Sequence, residues 1–319
     1  MNPACSIVIR AFNEENHLGK LLDGINQQSI KDVQIILVDS GSTDRTVQIA
    51  RNRGAEIVNI TPQEFTFGRS LNKGIVQAKS PIIVIASAHV YPVYPDWLEK
   101  LLAFFEDPAI ALVYGKQRGS GISHFSEQQL FVHWYGETTQ NPQDHPFCNN
   151  ANAAIRKNLW EQHHYNEKLP GLEDLEWAKW VVENHYHIVY CADAEIIHVH
   201  GESSRGIQNR YMREGMAFKQ IYPHERFGIF DLIRLFMTNS ISDIKESLRQ
   251  KKFSREFFNI LRFRWSQFYG TFIGYQRSGP LTWQLKQSFY YPRNSNSGSV
   301  NGSQREVEPI EYKESGKKI

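Results

Sequence analysis

Three groups of side chains in this 319-residue chain have types and spacings suited to chemistry. The first is Asp39-Ser40-Gly41-Ser42-Thr43-Asp44, which follows the apolar run Ile35–Val38. An aspartate at the carboxyl end of a parallel strand faces the crevice where open α/β sheets bind ligands. Small residues with Gly41 permit a sharp turn, and Ser, Thr and Asp cap helices, so a plain strand-to-helix loop explains the same letters. The second group is Glu173-Asp174, two carboxylates opening a helical stretch. The positive end of a helix dipole favours such acids with no further role. The third is His198-Val199-His200, whose alternation puts both imidazoles on one side of a strand. A chance pair on an edge strand has the same spacing.

The elements that must hold these groups alternate. Ser6–Ile9 reads as a strand, left by the loop Arg10-Ala11-Phe12-Asn13-Glu14-Glu15-Asn16. Asn13 or Asn16 can cap a helix over His17–Gln27, whose Leu18, Leu21, Leu22 and Ile25 form an apolar stripe. Helices over Thr46–Arg53 and around Asn72–Ala78 are interleaved with strands over Ile35–Val38, Glu56–Ile60 and Pro81–Ala86. Such alternation predicts a parallel, doubly wound sheet. Further on, Ala111–Tyr114 and Ile188–Tyr190 read as strands. Residues 147–156 are rich in small and amide side chains, and a helix runs from Glu173 to Val182.

Composition narrows the class. Hydrophobic residues at 41% and charged ones at 22% describe an ordinary globular protein, and a net charge of +2 gives no pull toward nucleic acid. Three scattered cysteines (Cys5, Cys148, Cys191) suggest reduced thiols and a cytoplasmic protein. The first residues lack the pattern of a signal peptide, and no apolar run reaches the length of a membrane span.

Taken in order, a series of motifs resembles the family 2 glycosyltransferases with the GT-A fold. These are Asn13-Glu14-Glu15, Asp39 to Asp44, and Ser87-Ala88-His89 with Pro92 and Trp97-Leu98 downstream. The amide-rich Asn149–Asn152 loop, Glu173-Asp174 and His198-Val199-His200 complete the series, over about two thirds of the chain. The resemblance implies an α/β, GT-A (nucleotide-diphospho-sugar transferase) fold over residues 1–221, mostly parallel and doubly wound. A helical region, 222–292, and a tail, 293–319, follow it. It also implies a hexosyltransferase-like enzyme of polysaccharide biosynthesis. Such an enzyme moves a sugar, with inversion, from a nucleotide-sugar donor to a hydroxyl of a glycan or lipid-linked acceptor. Carried over by motif, Asp39 would bond the base and the Asn13-Glu14 loop would wall the ribose, with Arg10 and Phe12 also on the donor side. Ser42, Asp44, Arg69, Asn72, Lys73, Ser87, Ala88 and His89 complete the donor side. Asp174, with Glu173 second, would accept the proton of the acceptor hydroxyl. Asn149, Asn150, Asn152 and Trp177 would lie on the acceptor side, with packing as the other reading of Trp177.

Two departures stand out. The family usually carries Asp-x-Asp where this chain has Ser87-Ala88-His89. Imidazole suits Mn²⁺ and offers Mg²⁺ the wrong kind of ligand, so the expected cofactor is a divalent metal, Mn²⁺ favoured. Its protein ligands are expected at His89, His198 and His200. His200 is preferred of the last two, because a flexible loop from Gly201 and then Arg205 follow it. Leu71 stands where relatives often carry Arg, leaving Arg69 and Lys73 as the nearest cations. The stretch Phe65–Gly74 resembles the rhamnosyltransferase-like branch.

Past residue 222 the chain turns aromatic and basic. Asp231–Leu248 is amphipathic, and between Arg226 and Arg277 there are ten Lys or Arg against four Asp or Glu. Peripheral contact with the cytoplasmic membrane face is one reading; the other is that these helices cover the catalytic domain or a second subunit, as in a homodimer through 226–277. The tail from Arg293 is low in apolar content and is expected to be disordered. Rival functions fit less well. A sugar-nucleotide pyrophosphorylase needs a Gly-rich, Arg-containing loop after the first strand, which Arg10–Glu14 is not. A non-catalytic sugar-nucleotide-binding or scaffold protein is the alternative that Ser87 encourages.

Overall fold

A computed structural model of the protein describes residues 2–277 and 307–312. The apolar runs become the middle of one sheet: β1 (Cys5–Ala11), β2 (Val33–Asp39), β3 (Glu56–Asn59) and β4 (Ile82–Ser87). These four are mutually parallel. Their side chains alternate between two cores. Val8, Ile36, Val38, Ile83 and Ile85 face one side, while Ile7, Ile9, Leu37 and Val84 face the other. Burial on both faces is why the strands read as unbroken apolar runs.

The covering helices follow the expected alternation. They are α1 (Leu18–Asn26), α2 (Thr46–Arg51), α3 (Phe67–Val76) and α4 (Trp97–Leu102). α1 is capped by neither Asn13 nor Asn16; its cap position is His17, without a side-chain bond. α3 begins earlier than its apolar pattern suggests, because Thr66 accepts the amide of Arg69 at its N-terminus.

Beyond β4 the sheet becomes mixed. β5 (Val90–Pro92), β6 (Ile110–Gly119), β7 (Asn152–Arg156) and β8 (His187–His198) extend it to the order β3-β2-β1-β4-β7-β6-β8-β5. β7 runs antiparallel to β4 and β6, and β5 antiparallel to β8. The short strands expected at Ala111–Tyr114 and Ile188–Tyr190 are parts of long ones. The polar stretch Ala192–Glu195 hides β8 from pattern reading, and a register shift between Gly115 and Gln117 absorbs it.

The remaining helices are α5 (Phe125–Trp134), α6 (Lys157–Gln162), α7 (Glu173–Glu183), α8 (Ser204–Ile221), α9 (Ile229–Arg249) and α10 (Phe253–Gln276). The loop expected to be flexible after His200 is short, since Ser203 accepts the Gly206 amide and starts α8 at once. α10 packs along α8 at close range. A Cβ on Gly270 would lie 2.4 Å from the Gln208 carbonyl, and one on Gly274 2.3 Å from that of Met212. Among the described residues, no helix is long and apolar enough to cross a membrane.

Of the tail expected to be disordered, 293–306 and 313–319 lie outside the described residues. The expectation does not hold for 307–312. There the Ile310 amide bonds the Val93 carbonyl at 2.8 Å, and Tyr312 donates to the Pro92 carbonyl.

Candidate active site

The loops leaving β1 and β2 are stitched to each other. Asn13, held at a positive φ of 54°, donates its amide to Ser42 Oγ and accepts the Thr43 amide at 2.8 Å. Asp44 accepts from the amides of Glu15 and Thr46. Asp39 is buried and accepts from the amides of Gly41 and Ser42. Its two oxygens still have lone pairs for an incoming N–H. Asn13, Ser42 and Asp44, expected on the donor side, therefore spend most of their bonds shaping the two loops.

Arg69, Asn72 and Lys73 face a different neighbour. Arg69 pairs with Glu167 at 2.6 Å, and Lys73 with Glu64 at 3.6 Å. Asn72 donates to the Tyr165 carbonyl and to Glu167, and accepts from Trp160 Nε1 and the Tyr165 amide. All four of its bonds are made, so Asn72 clamps α3 to residues 160–167 and has nothing left for a donor. Asn152 is likewise structural rather than an acceptor contact. Fully buried, it holds the Lys116 and Ala194 carbonyls and the Trp97 indole. Trp177 is also fully buried, its N–H on the His163 carbonyl, so packing is the reading that stands. Ala88 packs its methyl into the core.

Three imidazoles converge where β5 pairs with β8. His89 immediately precedes β5, Val90 is in register with His198, and the Val199 amide bonds the His89 carbonyl. Ring centroids lie 5.1 Å apart for His89 and His198, and 4.0 Å for His198 and His200. Each ring has a nitrogen within 4.8 Å of the others. The Nδ1 atoms are all occupied: His89 on Glu14 at 2.7 Å, His198 on Gln117 at 2.8 Å, His200 on Glu127 at 2.8 Å. That leaves the Nε2 atoms, and His198 Nε2 is buried with no hydrogen-bond partner among the described residues. A cation would want such an arrangement, with each ring oriented by its far nitrogen. His200 lies past the end of β8, yet joins His198 in the cluster. Burial depresses the His198 pKa well below the ordinary value, His200 and His89 adding to it. Burial acts the same way on His89, but Glu14 outweighs it and raises that pKa.

The sequence did not reveal what braces this cluster. Buried Glu127 on α5 receives His200 and also Arg210 on α8, and Arg210 pairs onward with Glu202 at 2.7 Å. Burial pushes the Glu127 carboxyl up, but His200 and Arg210 outweigh it and bring it down to about 2. Nothing in the pattern around Glu127 marks it, since it sits among helical polar residues a long way along the chain from its partners.

The two carboxylates opening α7 are treated differently by their surroundings. Leu172 before them adopts a left-handed φ of 54°, a strained conformation of the kind that clusters at functional sites. Glu173 is buried against Arg10 at 2.9 Å, and Arg10 lies over the Phe67 ring at 4.5 Å. Among the described residues the Asp174 carboxylate accepts from two backbone amides, Asn150 at 3.1 Å and Leu175 at 2.9 Å. Burial and then Glu173 push its pKa up to about 7. Asn150 is buried, and its Nδ2 has no partner among the described residues. Asn149 turns its own side chain onto the Ala151 amide. Arg10 joins the two halves of the site, since its charge acts on both Asp174 and His89.

Residues 6–163 match the family model described as Glycosyl transferase family 2. The chain carries a family 2 glycosyltransferase domain. Over 227 residues this glycosyltransferase is 26% identical to the O-antigen chain rhamnosyltransferase RfbN of Salmonella typhimurium, covering 66% of this chain and 71% of that one. It is also 26% identical over 230 residues to the O-antigen chain rhamnosyltransferase WbaN of Salmonella anatum, with 67% and 72% covered. Among solved structures it resembles the mannosyltransferase PcManGT from Pyrobaculum calidifontis in complex with GDP-Man and Mn²⁺. That likeness has a TM-score of 0.59 and 16% identity, over 85% of this chain and 86% of the other. It also resembles a structure of S. aureus TarS, with a TM-score of 0.51 and 14% identity, covering 98% and 99%. The fold is GT-A, and the donor class of such an enzyme is a nucleotide-sugar.

Proposed function

We propose that the chain transfers a sugar from a nucleotide-diphosphate donor to a hydroxyl of a glycan or lipid-linked acceptor, inverting the anomeric centre in one displacement. The observation that carries this reading is the pair of features flanking Arg10: a half-buried carboxyl poised near neutrality, and three imidazoles each with a nitrogen within 4.8 Å of the others. Inversion in one step needs a single base. Asp174 fits it better than Glu173, whose carboxylate is already paired with Arg10. The amides of Asn150 and Leu175 hold the Asp174 carboxylate in one orientation. The unpaired Nδ2 of Asn150 is a donor for an acceptor oxygen beside it.

On the donor side, Asp39 retains acceptor capacity for a base N–H. The residues of this chain that fit a divalent cation are His89, His198 and His200, and their nitrogen chemistry favours Mn²⁺ over Mg²⁺. A cation held there would supply positive charge against the departing diphosphate. Glu14, Gln117 and Glu127 keep the three rings turned for that duty.

A panel of nucleotide-sugars, including rhamnose and mannose donors in view of the similar proteins, tests the reading. The matching donor should raise the thermal midpoint, because a ligand that binds only the native state stabilises it. Product analysis by NMR should then give an inverted anomeric centre. A retained configuration would rule out the single displacement. Donor binding without transfer or hydrolysis under any condition would favour the non-catalytic alternative.

A further inference from the structure

α9 is packed inside out. Its buried residues are Leu232, Ser240, Asp243 and Ser247, three of them polar. Several of its large apolar side chains point away from the protein: Phe230 is 85% exposed, and Ile233, Met237, Ile241 and Leu248 are exposed on the same stripe, while Leu235, Phe236 and Ile244 are half-buried. Spacings of three, four and seven place these residues on one helix face. α10 continues the patch, with Phe258 at 78% and Trp265 at 48% exposure, and Phe236 of α9 packs edge-on to Trp265 at 5.6 Å.

The helix cannot roll over to hide this face. Asp243 pairs with Arg264 at 2.7 Å, both side chains 3% exposed, and turning α9 would strand two buried charges. A contiguous apolar face of this kind marks a contact surface.

Charge decides what covers it. Each acid between 226 and 277 is already engaged: Asp231 with Arg234, Asp243 with Arg264, Glu246 with Arg249 and Glu256 with Arg255. Arg226, Lys245, Lys251 and Arg262 make no ion pair among the described residues. A second copy meeting this face through two-fold symmetry would bring the same cations against them. An anionic lipid surface complements both features, apolar stripe into the acyl boundary and cations at the headgroups. Arg262 also lines a cavity of about 400 Å³ with Arg205, His124, Ser203 and Asn259, large enough for a headgroup phosphate. This cavity lies at the start of α8, a few residues after His200.

We propose that the α9–α10 face docks on an anionic membrane surface, with a headgroup phosphate seated between Arg205 and Arg262. The full-length protein is floated with vesicles of phosphatidylglycerol and phosphatidylcholine, and with phosphatidylcholine alone. It should rise with the anionic vesicles at low salt and much less with neutral ones or at high salt. Phe230→Ser combined with Ile233→Ser should lower the bound fraction several-fold, and Arg262→Glu by on the order of tenfold. Both variants should keep their thermal midpoint and donor-induced stabilisation, which separates this surface from the reading of the active site. Wild-type protein that stays at the bottom with anionic vesicles overturns the proposal. So does a dimer in sedimentation that the double variant dissociates.

Discussion

Glu173 and Asp174 are adjacent in sequence and opposite in circumstance. Arg10 neutralises the first, while burial and the first residue's charge raise the second to about 7. A base of that kind is half ionised near neutrality. Turnover should therefore climb with pH through about 7 and level off above it. Asp174→Asn keeps the shape and removes the proton acceptor. It should lower turnover by roughly 10²–10⁴-fold with donor affinity unchanged in calorimetry. Near-normal turnover would return attention to Glu173. Stability carries the opposite sign. An unfolded aspartate titrates near 3.9, so between about 4 and 7 the folded state holds a proton that the unfolded state has lost. The Asp174 contribution thus falls as pH rises across that window, and the Asn variant should gain stability relative to wild type toward pH 8. At Asp39 a different loss is expected. Asp39→Ala should weaken donor binding by about 1–3 kcal/mol, the worth of a charge-assisted hydrogen bond. Unchanged affinity would leave Asp39 as a loop former only, the role its bonds to Gly41 and Ser42 already fill.

Among the elements, the first half of the sheet was legible and the second was not, for a physical reason. β1, β2 and β4 are buried on both faces by local βα units, so their apolar runs and the turn residues after them can be read directly. β8 is long, bulged and interrupted by Ala192–Glu195, and its partners β5 and β6 are distant in sequence. No local pattern announces such pairing. The same holds for side chains. His89, His198 and His200 could be grouped by motif, but Glu127 and Arg210, which brace them, come from helices whose polar residues look like solvated faces. Asn72 and Asn152 show the converse, since motif position suggested ligand contacts and the fold uses all four side-chain bonds of Asn72 and three of Asn152 internally. Glu127→Gln tests the bracing. It weakens the hold on His200 Nδ1 while keeping the volume, and supporting groups of this kind are worth about 10–100-fold in metal affinity. Calorimetric titration with Mn²⁺ should show that loss. An unchanged affinity would mean that His200 is not a ligand, or needs no orientation.

At the scale of the whole molecule, the question is whether the helical hairpin α9–α10 is an appendage or part of one cooperative unit. Arg264 answers structurally. From α10 it bonds Asp243 on α9 through two nitrogens and Gln267 beside it. It also reaches the Ser126 carbonyl on α5, next to Glu127. The glycine contacts between α8 and α10 remove the slack that side chains would leave. The hairpin and the sheet should therefore unfold in a single transition. Asp243→Asn leaves a buried guanidinium without its counter-charge, and should cost about 3–5 kcal/mol. Replacing both members together, Asp243→Leu with Arg264→Met, should recover most of that loss, because the cost lies in the stranded charge rather than in the missing attraction. Calorimetry on the three proteins distinguishes the cases. A wild type with two separated transitions, only one of them raised by donor, would show that the hairpin melts on its own. Its inverted face would then be held in place by something other than the catalytic fold.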